Sequence, residues 1–234
     1  VDNSSAFRMT AGVPLVVPEI NGEAVWAREG PVHGMQGGGV LANPNCSTIL
    51  LALALAPLEA RFGLERVVAA TYQAASGAGD PGMQELEMQA YTWASGEPCL
   101  PQDVFGRQYL WNVFSHDSPV DAATGVNEEE RKMVEETRKI LGRPDLAVAA
   151  TCVRVPVLRA HCEAVTVTLQ TPAAEADVRA ALEQAEGVLM VDDRAQNKFP
   201  EPLDATDTDE VLVGRLRPDL SQPDGHGYQL FLAG

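Results

Sequence analysis

The sequence predicts an α+β fold: a mixed, largely antiparallel sheet covered by helices. Three observations carry this expectation. The second half of the chain holds five apolar runs of strand length, "LAVAATCVRVPV", "HCEAVTVTLQ", "VLMVDD", "EVLVGRLRPD" and "HGYQLFLAG". Helix-period segments lie between and before them. The first two runs are separated by only a short link, which reads as a hairpin-like connection and favours antiparallel pairing. The composition supports a core of ordinary size, with 45% hydrophobic and 21% charged residues in a chain of 234.

The elements follow in order. The chain opens on "VDNSSAFRM", a strand-like end running into a polar turn, and closes on the apolar "YQLFLAG". Both ends read as cut, so a fragment is expected. "VPLVVPEIN" (13–21) is a short apolar run with prolines, expected as a strand at a domain margin. Residues 22–39 are glycine-rich without apolar period and read as a surface loop that includes His33 and Gly37-Gly38-Gly39. In "LANPNCSTILLALALAPLEARF" the residues Leu50, Leu51, Ala54, Leu55 and Leu58 recur at helical spacing, and the run ends near Gly63. Pro44 disfavours helix before it and Asn45 is a natural N-cap, so Cys46 falls in the first helical turn.

"LERVVAATYQAASGAG" follows as a buried strand ending in a glycine-rich turn, and "MQELEMQAYTWAS" as a helix. Residues 96–125 are rich in Pro and Gly and read as irregular. "NEEERKMVEETRKIL" is a charged amphipathic helix with sparse apolar positions, and "EADVRAALEQA" is a further helix.

Several function classes are disfavoured. A net charge of −16 argues against nucleic acid or an anionic membrane as a bulk partner. No apolar run approaches the roughly 20 residues of a membrane span. The four cysteines, Cys46, Cys99, Cys152 and Cys162, fit no zinc spacing, and no secretory signal precedes them. They read as free thiols in a reducing cytoplasm, with no metal site.

Cys46 is the first candidate for chemistry. A thiol in the first turn of a helix meets unpaired backbone N–H groups and the positive end of the dipole, which favour thiolate. The local pattern leaves two readings open: a nucleophile, or a small buried residue at a helix start. A nucleophile needs a base, and four histidines are available. His33 and His226 lie in glycine-rich turns and read as exposed. His116, in "FSHDSP", reads as a turn cap. His161 lies in "CVRVPVLRAHCEAV", beside an arginine-bearing strand. Arg154 falls within an alternating strand, where an unpaired charge is costly to bury, so it is expected to face a cleft and an anion.

"ANPNCST", "TYQAASGAG" and "CVRVPVLRAH", with "DNSSAFRM…VPLVVPEIN" upstream and the helix "EEERKMVEETRKI", closely resemble the aspartate-semialdehyde dehydrogenases of the Gram-positive-like branch. The segments occur in the family's order along the whole chain. The resemblance implies a glyceraldehyde-3-phosphate dehydrogenase-like catalytic and dimerisation domain over residues 45–234. Residues 1–44 would be a remnant of a Rossmann-type dinucleotide-binding domain and its connecting loop. The family's N-terminal βαβ unit with its glycine-rich loop, and the helix after its last strand, have no counterpart in these residues. The loop between Asn21 and Asn43 reads as longer than the family usually shows.

The resemblance also implies roles. Cys46 would be the nucleophile that forms an acyl-thioester, His161 the general acid–base, and Gln73 the substrate-orienting glutamine. Arg154 would grip the substrate α-carboxylate, Glu129 would face its ammonium, and Asn45 would be the active-site asparagine. Arg8 and Lys132 would hold phosphate, and Ser76 and Gly77 would approach the nicotinamide of NADP. The remaining acids of that helix, Glu128, Glu130, Glu135 and Glu136, read as surface, and Cys99, Cys152 and Cys162 as inert. The implied reaction interconverts L-aspartate 4-semialdehyde plus phosphate with 4-phospho-L-aspartate, in lysine, threonine and methionine biosynthesis, by a cytoplasmic homodimer or dimer of dimers. Two alternatives remain: N-acetyl-glutamyl-phosphate reductase, whose cysteine usually sits in Gly-Cys-Tyr-Pro, and an inactive dimerisation fragment.

Overall fold

The structure, a computed structural model, describes residues 1–26, 39–222 and 224–234. Seven strands form one sheet in the order β2-β3-β1-β4-β7-β6-β5. They are β1 (Leu64–Gln73), β2 (Phe114–Ser115), β3 (Ala147–Arg154), β4 (Cys162–Leu169), β5 (Val188–Met190), β6 (Val211–Pro218) and β7 (Gly227–Ala233). The β1–β3 and β5–β6 pairs are parallel, and the other four are antiparallel. The mixed, largely antiparallel sheet therefore stands as expected.

The hairpin does not. β3 and β4 are consecutive in sequence but flank β1 on opposite sides. The link between them crosses the carboxyl end of β1, where Val155 N–H donates to Gln73 O (3.1 Å), and Ala75 and Ser76 donate to Val157 O (2.8 Å) and Leu158 O (2.9 Å). A short link is compatible with either arrangement, because β1 needs only one strand width between its neighbours.

The central helix α2 (Cys46–Phe62) is capped by Asn45, whose side chain accepts from Thr48 N–H at 3.2 Å, and stops at Gly63, where φ is +68°. Such a cap is worth about 1 kcal/mol. Leu50 to Leu55 and Leu58 are all buried, so α2 lies inside the core rather than on it. It packs on the face of the sheet that carries Val67, Ala69, Val165, Val167, Leu230 and Leu232. Helices α4 (Glu128–Ile140) and α5 (Glu175–Glu183) cover the same layer through Met133, Ile140, Val178 and Leu182. The opposite face carries half-buried Val68, Ala70, Ala164, Thr166 and Phe231 with exposed Tyr72, and among the described residues no helix covers it.

Three local expectations need correction. Residues 13–21 are not a strand: Leu15 makes one bridge to Ala42, and Pro18–Asn21 is a helical turn, α1, with Pro18 at its start. Pro14 and Pro18 remove ladder donors, and proline suits a first helical position. Helix α3 (Gly79–Ala94) begins earlier than the apolar period indicates, with Pro81 in its first turn. The irregular stretch 96–125 contributes strand β2, and Phe105, Tyr109 and Phe114 build a satellite cluster against Leu86. A short turn, α6 (Pro202–Ala205), completes the helices. Of the loop expected over 22–39, Gly22–Val25 forms a single 3-10 turn, and residues 27–38, with His33, lie outside the described residues.

Candidate active site

The carboxyl ends of β1 and β3 and the start of β4 meet at one edge of the sheet. Gln73 pairs with Arg154, and Tyr72 with Cys162. The N-terminus of α2 and the first turns of α4 abut that edge, so Cys46, Gln73, Glu129, Arg154 and His161 gather from five segments.

Glu129 is the hub. Its Oε1 accepts from Asn45 Nδ2 at 2.8 Å and from Gln73 Nε2 at 3.0 Å, and Lys132 Nζ stands 3.9 Å from Oε2. Burial opposes its charge, but His116, those two amides and Lys132 outweigh it and hold the carboxyl below its ordinary range. Gln73 is itself oriented: its Oε1 accepts from Thr71 Oγ1 at 3.1 Å, and Tyr109 Oη donates to its backbone oxygen at 3.2 Å. Arg154, 4% exposed, donates Nε–H to Asp117 Oδ1 at 2.8 Å and Nη1–H to Ala74 O at 3.2 Å. These commitments leave Nη2 and the second Nη1 hydrogen for a ligand.

His161 is held on three sides. Its backbone pairs with Gly234 in both directions (2.7 and 3.0 Å), and Ala74 N–H donates to Nδ1 at 3.0 Å. Its Nε2 is buried without a partner among the described residues. Burial and the Arg154 charge push its pKa down to about 4.

Two cavities share Cys46, Ile49, Ser76 and Gly77 as a common wall. The larger, about 600 Å³, is lined also by Asn45, Gln73, His116, Glu129, Arg154, Lys132 and Arg8. The smaller, about 380 Å³, is lined also by Leu50, Ala160, His161, Ala205 and Gly234. All ten residues singled out in the sequence therefore border one cavity or both.

The state of the thiol departs from expectation. Cys46 is exposed on the cavity walls, yet it lies deep in the fold. Burial pushes the thiol up to about 11, with Glu129 adding to the rise; the Ser47 amide at the helix start acts the other way but is outweighed. In this state Cys46 is a reachable thiol rather than a standing thiolate.

Other expectations shift too. Glu136 is not a surface residue but 1% exposed: it accepts from Asn45 N–H at 2.7 Å and from Arg8 Nη1 at 3.1 Å. Seven residues after Glu129, it lies on the same helix face, a signal that the sequence carried. Glu130 is half-buried, closing a capping box with Asn127 and accepting from Cys152 N–H at 3.1 Å. Arg8 is thus paired to Glu136, and Lys132 lies 3.3 Å from Glu128. His116 caps its turn, accepting from Ser118 N–H at 3.1 Å, and also lines the larger cavity. His226 is half-buried, with Nδ1 2.8 Å from Leu169 O. Asp117 went unread because nothing local ties it to Arg154; the tie is the β2–β3 pairing of Phe114 with Arg154. Among the described residues no three His, Cys, Asp or Glu side chains are placed to hold a metal.

Residues 55–233 match the family model described as semialdehyde dehydrogenase, dimerisation domain. The aspartate-semialdehyde dehydrogenase of Synechocystis is 47% identical over an alignment of 235 positions that covers all of this chain and 65% of that protein. That of Mycolicibacterium smegmatis is 38% identical over all of this chain and 68% of its own length. The chain belongs to the aspartate-semialdehyde dehydrogenase family. It spans about two thirds of the length of these relatives. Among solved structures of aspartate-semialdehyde dehydrogenases, enzyme II from Vibrio cholerae complexed with ASA superposes with a TM-score of 0.89 at 38% identity, over all of this chain and 66% of the other. The Candida albicans enzyme with NADP shares the fold, with a TM-score of 0.67 at 23% identity over 99% of this chain and 64% of the other.

Proposed function

We propose that this chain serves the NADP-dependent interconversion of L-aspartate 4-semialdehyde plus phosphate with 4-phospho-L-aspartate, the reaction that leads to lysine, threonine and methionine. The observation that carries this reading is the reachable thiol of Cys46, set where a cavity of paired charges and a largely apolar one meet. Residues 45–234 are the catalytic and dimerisation unit, and residues 1–44 belong to the dinucleotide-binding side. Cys46 adds to the aldehyde carbon and carries the acyl group as a thioester. Arg154 meets the substrate carboxylate, Glu129 its ammonium, and Gln73 and Asn45 fix the carboxylate of Glu129 between them. A guanidinium suits the first task because it presents several donors in one plane. Arg8 and Lys132, on different segments of one cavity wall, receive phosphate, which attacks the thioester and releases the thiolate. Amide N–H groups at the start of α2, with His161, face the oxyanion that forms.

The smaller cavity fits the nicotinamide end of NADP. It is largely apolar, one wall is the thiol, and a side chain at Gly77 would come within 2.7 Å of Arg154 Nη1 and 3.0 Å of His161 Nε2. Ser76 and Gly77 would hold that end, and NADP when bound supplies the hydride acceptor. A second copy of the chain covers the bare sheet face around Tyr72 and Phe231, giving a homodimer or dimer of dimers in the cytoplasm.

The test is an absorbance assay of the full-length protein with NADP, phosphate and either L-aspartate 4-semialdehyde or N-acetyl-L-glutamate 5-semialdehyde. NADPH should form with the first only, since Glu129 has no cation to meet in an acetylated amine. Turnover of the acetylated substrate alone would contradict the reading.

A further inference from the structure

We propose that Glu136 is a positioning residue for the phosphate step: one buried carboxylate ties the guanidinium of Arg8 to the start of the Cys46 helix, and so sets the place from which phosphate attacks. The inference rests on the proposed phosphate role of Arg8. Each oxygen of Glu136 has its own partner. Oε1 accepts from Arg8 Nη1 at 3.1 Å, and Oε2 accepts from Asn45 N–H at 2.7 Å. The carboxylate is withdrawn from solvent, so water does not compete for either bond.

The two partners are held by the same helix. Asn45, directly before Cys46, meets α4 twice, since its Nδ2 also donates to Glu129 Oε1 at 2.8 Å. Arg8 arrives from a segment 128 positions away. Among the described residues its side chain makes one other bond, from Nη2 to Asn3 O at 3.1 Å, and its Nε is buried without a partner. Lys139, one turn further along α4, holds the backbone of that segment, donating to Arg8 O at 2.5 Å and Val13 O at 2.9 Å. Glu129, Lys132, Glu136 and Lys139 recur at steps of three and four, so they share one face of α4. The first two border the larger cavity. The last two stand behind it and hold its wall, so Glu136 acts on phosphate only through Arg8.

The step that depends on this is the second half of the reaction. A phosphate oxygen bonds to the thioester carbon as the C–S bond breaks, and the electron pair returns to Cys46 Sγ. Its rate is set by how phosphate is placed against that carbon, and a misplacement of about 1 Å costs on the order of 10²-fold. Arg8 has a long side chain with many rotamers. A carboxylate that also holds the residue before Cys46 removes that freedom relative to the thiol itself. A negative charge beside Arg8 also repels the incoming anion. Charge balance and positioning therefore predict opposite signs when the charge of Glu136 is removed: the first a tighter grip on phosphate, the second a looser one.

Glu136→Gln separates them. An amide has one acceptor and one donor group, so it cannot accept from both partners. The Asn45 N–H is fixed backbone and keeps the amide oxygen, which turns the NH₂ toward Arg8 and displaces it. Two measurements on the full-length protein read the result: calorimetric titration with inorganic phosphate, and stopped-flow NADPH formation from NADP and L-aspartate 4-semialdehyde. Phosphate should bind about tenfold more weakly and phosphate-dependent turnover should slow about 10–10²-fold, while the NADPH burst that marks thioester formation stays within about threefold of wild type. In an Arg8→Ala background, Glu136→Gln should add nothing, because the two residues act as one unit. Glu136→Asp keeps the charge but is one methylene short; it should give the same split at smaller size, and serves if the amide variant does not fold. Phosphate bound as tightly as by wild type or more so, a burst slowed as much as turnover, or penalties that add in the double variant would each overturn the proposal. The titration needs no semialdehyde. If the protein fails to oxidise aspartate semialdehyde, the substrate reading falls while the phosphate affinities still decide the role of Glu136.

Discussion

The two cavities that meet at Cys46 are built from opposite chemistry. On one side Glu129, Lys132, Arg154 and Arg8 present charges and Asn45 and Gln73 amides, most of them held by hydrogen bonds or ion pairs. On the other side Ile49, Leu50, Ala160, Ala205 and Gly234 present mainly hydrocarbon and backbone, beside the polar Arg159, His161, Thr206 and Asp207. The first kind of wall can hold a small zwitterion and a phosphate by directed bonds, and the second a flat ring by contact and exclusion of water. The lesson lies in the wall between them. Cys46 is held at the capped start of α2, and Ser76 and Gly77 by backbone bonds, so the reacting group is fixed while each side is specialised separately.

Removing the shared wall should erase both sides at once. Cys46→Ala in the full-length protein is expected to lower kcat by at least about 10⁴-fold, because the covalent route is lost. The melting temperature should stay near wild type. Residual turnover above that level would break the division at its centre. On the charged side, Arg154→Lys keeps the charge but loses the planar donors, and also strands Asp117 and Ala74 O. We expect kcat/KM for the semialdehyde to fall about 10²-fold, with the KM for phosphate little changed. If only the phosphate constant moves, Arg154 belongs to the phosphate site. Lys132→Ala should give the mirror pattern, a rise of about tenfold in the phosphate KM alone.

Two buried titratable groups sharpen the comparison through stability. His161 is held near pKa 4, against 6.5 when free. Between those values the unfolded chain binds a proton that the folded chain does not, so stability falls on acidification by on the order of 3 kcal/mol. His161→Gln should flatten that slope in urea titrations taken at steps from pH 7 to 4. Glu163 on β4, 0% exposed and without a partner for either oxygen among the described residues, has its pKa raised by burial. The sign reverses: the unfolded chain ionises first, so the folded state loses stability as pH rises above the ordinary carboxyl value. Glu163→Gln should therefore raise the melting temperature at pH 8 more than at pH 4.5. An equal change at both would mean that Glu163 ionises in the fold.

How much of this was legible in the sequence differs between the same two regions. The start of α2 was, because Pro44, Asn45 and Cys46 act within one turn and the cap needs no distant partner. The capping box at Asn127 and Glu130 is local in the same way, and the helix it opens stands where the charge pattern put it. The strand order was not, since two strands joined by a short link can either pair or admit a third between them, and the choice of β1 depends on the whole sheet. Glu136 was misread for a related reason. One glutamate among five in a helix looks solvated until Arg8, 128 positions away, and the Asn45 amide arrive at it. The thiol state was hidden in the same way: the helix start is local and favours thiolate, but the burial and the Glu129 charge that override it come from other segments. Residue types at the site were thus readable, and their pairings were not.

The central claim is that Cys46 alone accepts the acyl group. Intact-mass analysis of the full-length protein after incubation with 4-phospho-L-aspartate, without NADPH, tests it most directly. The account predicts one aspartyl adduct per chain, removed by hydroxylamine, mapped to the peptide containing Cys46 and absent in Cys46→Ala. Cys99, which is also exposed, is the internal control. An adduct on Cys99, or none under conditions where phosphate is released, would contradict it.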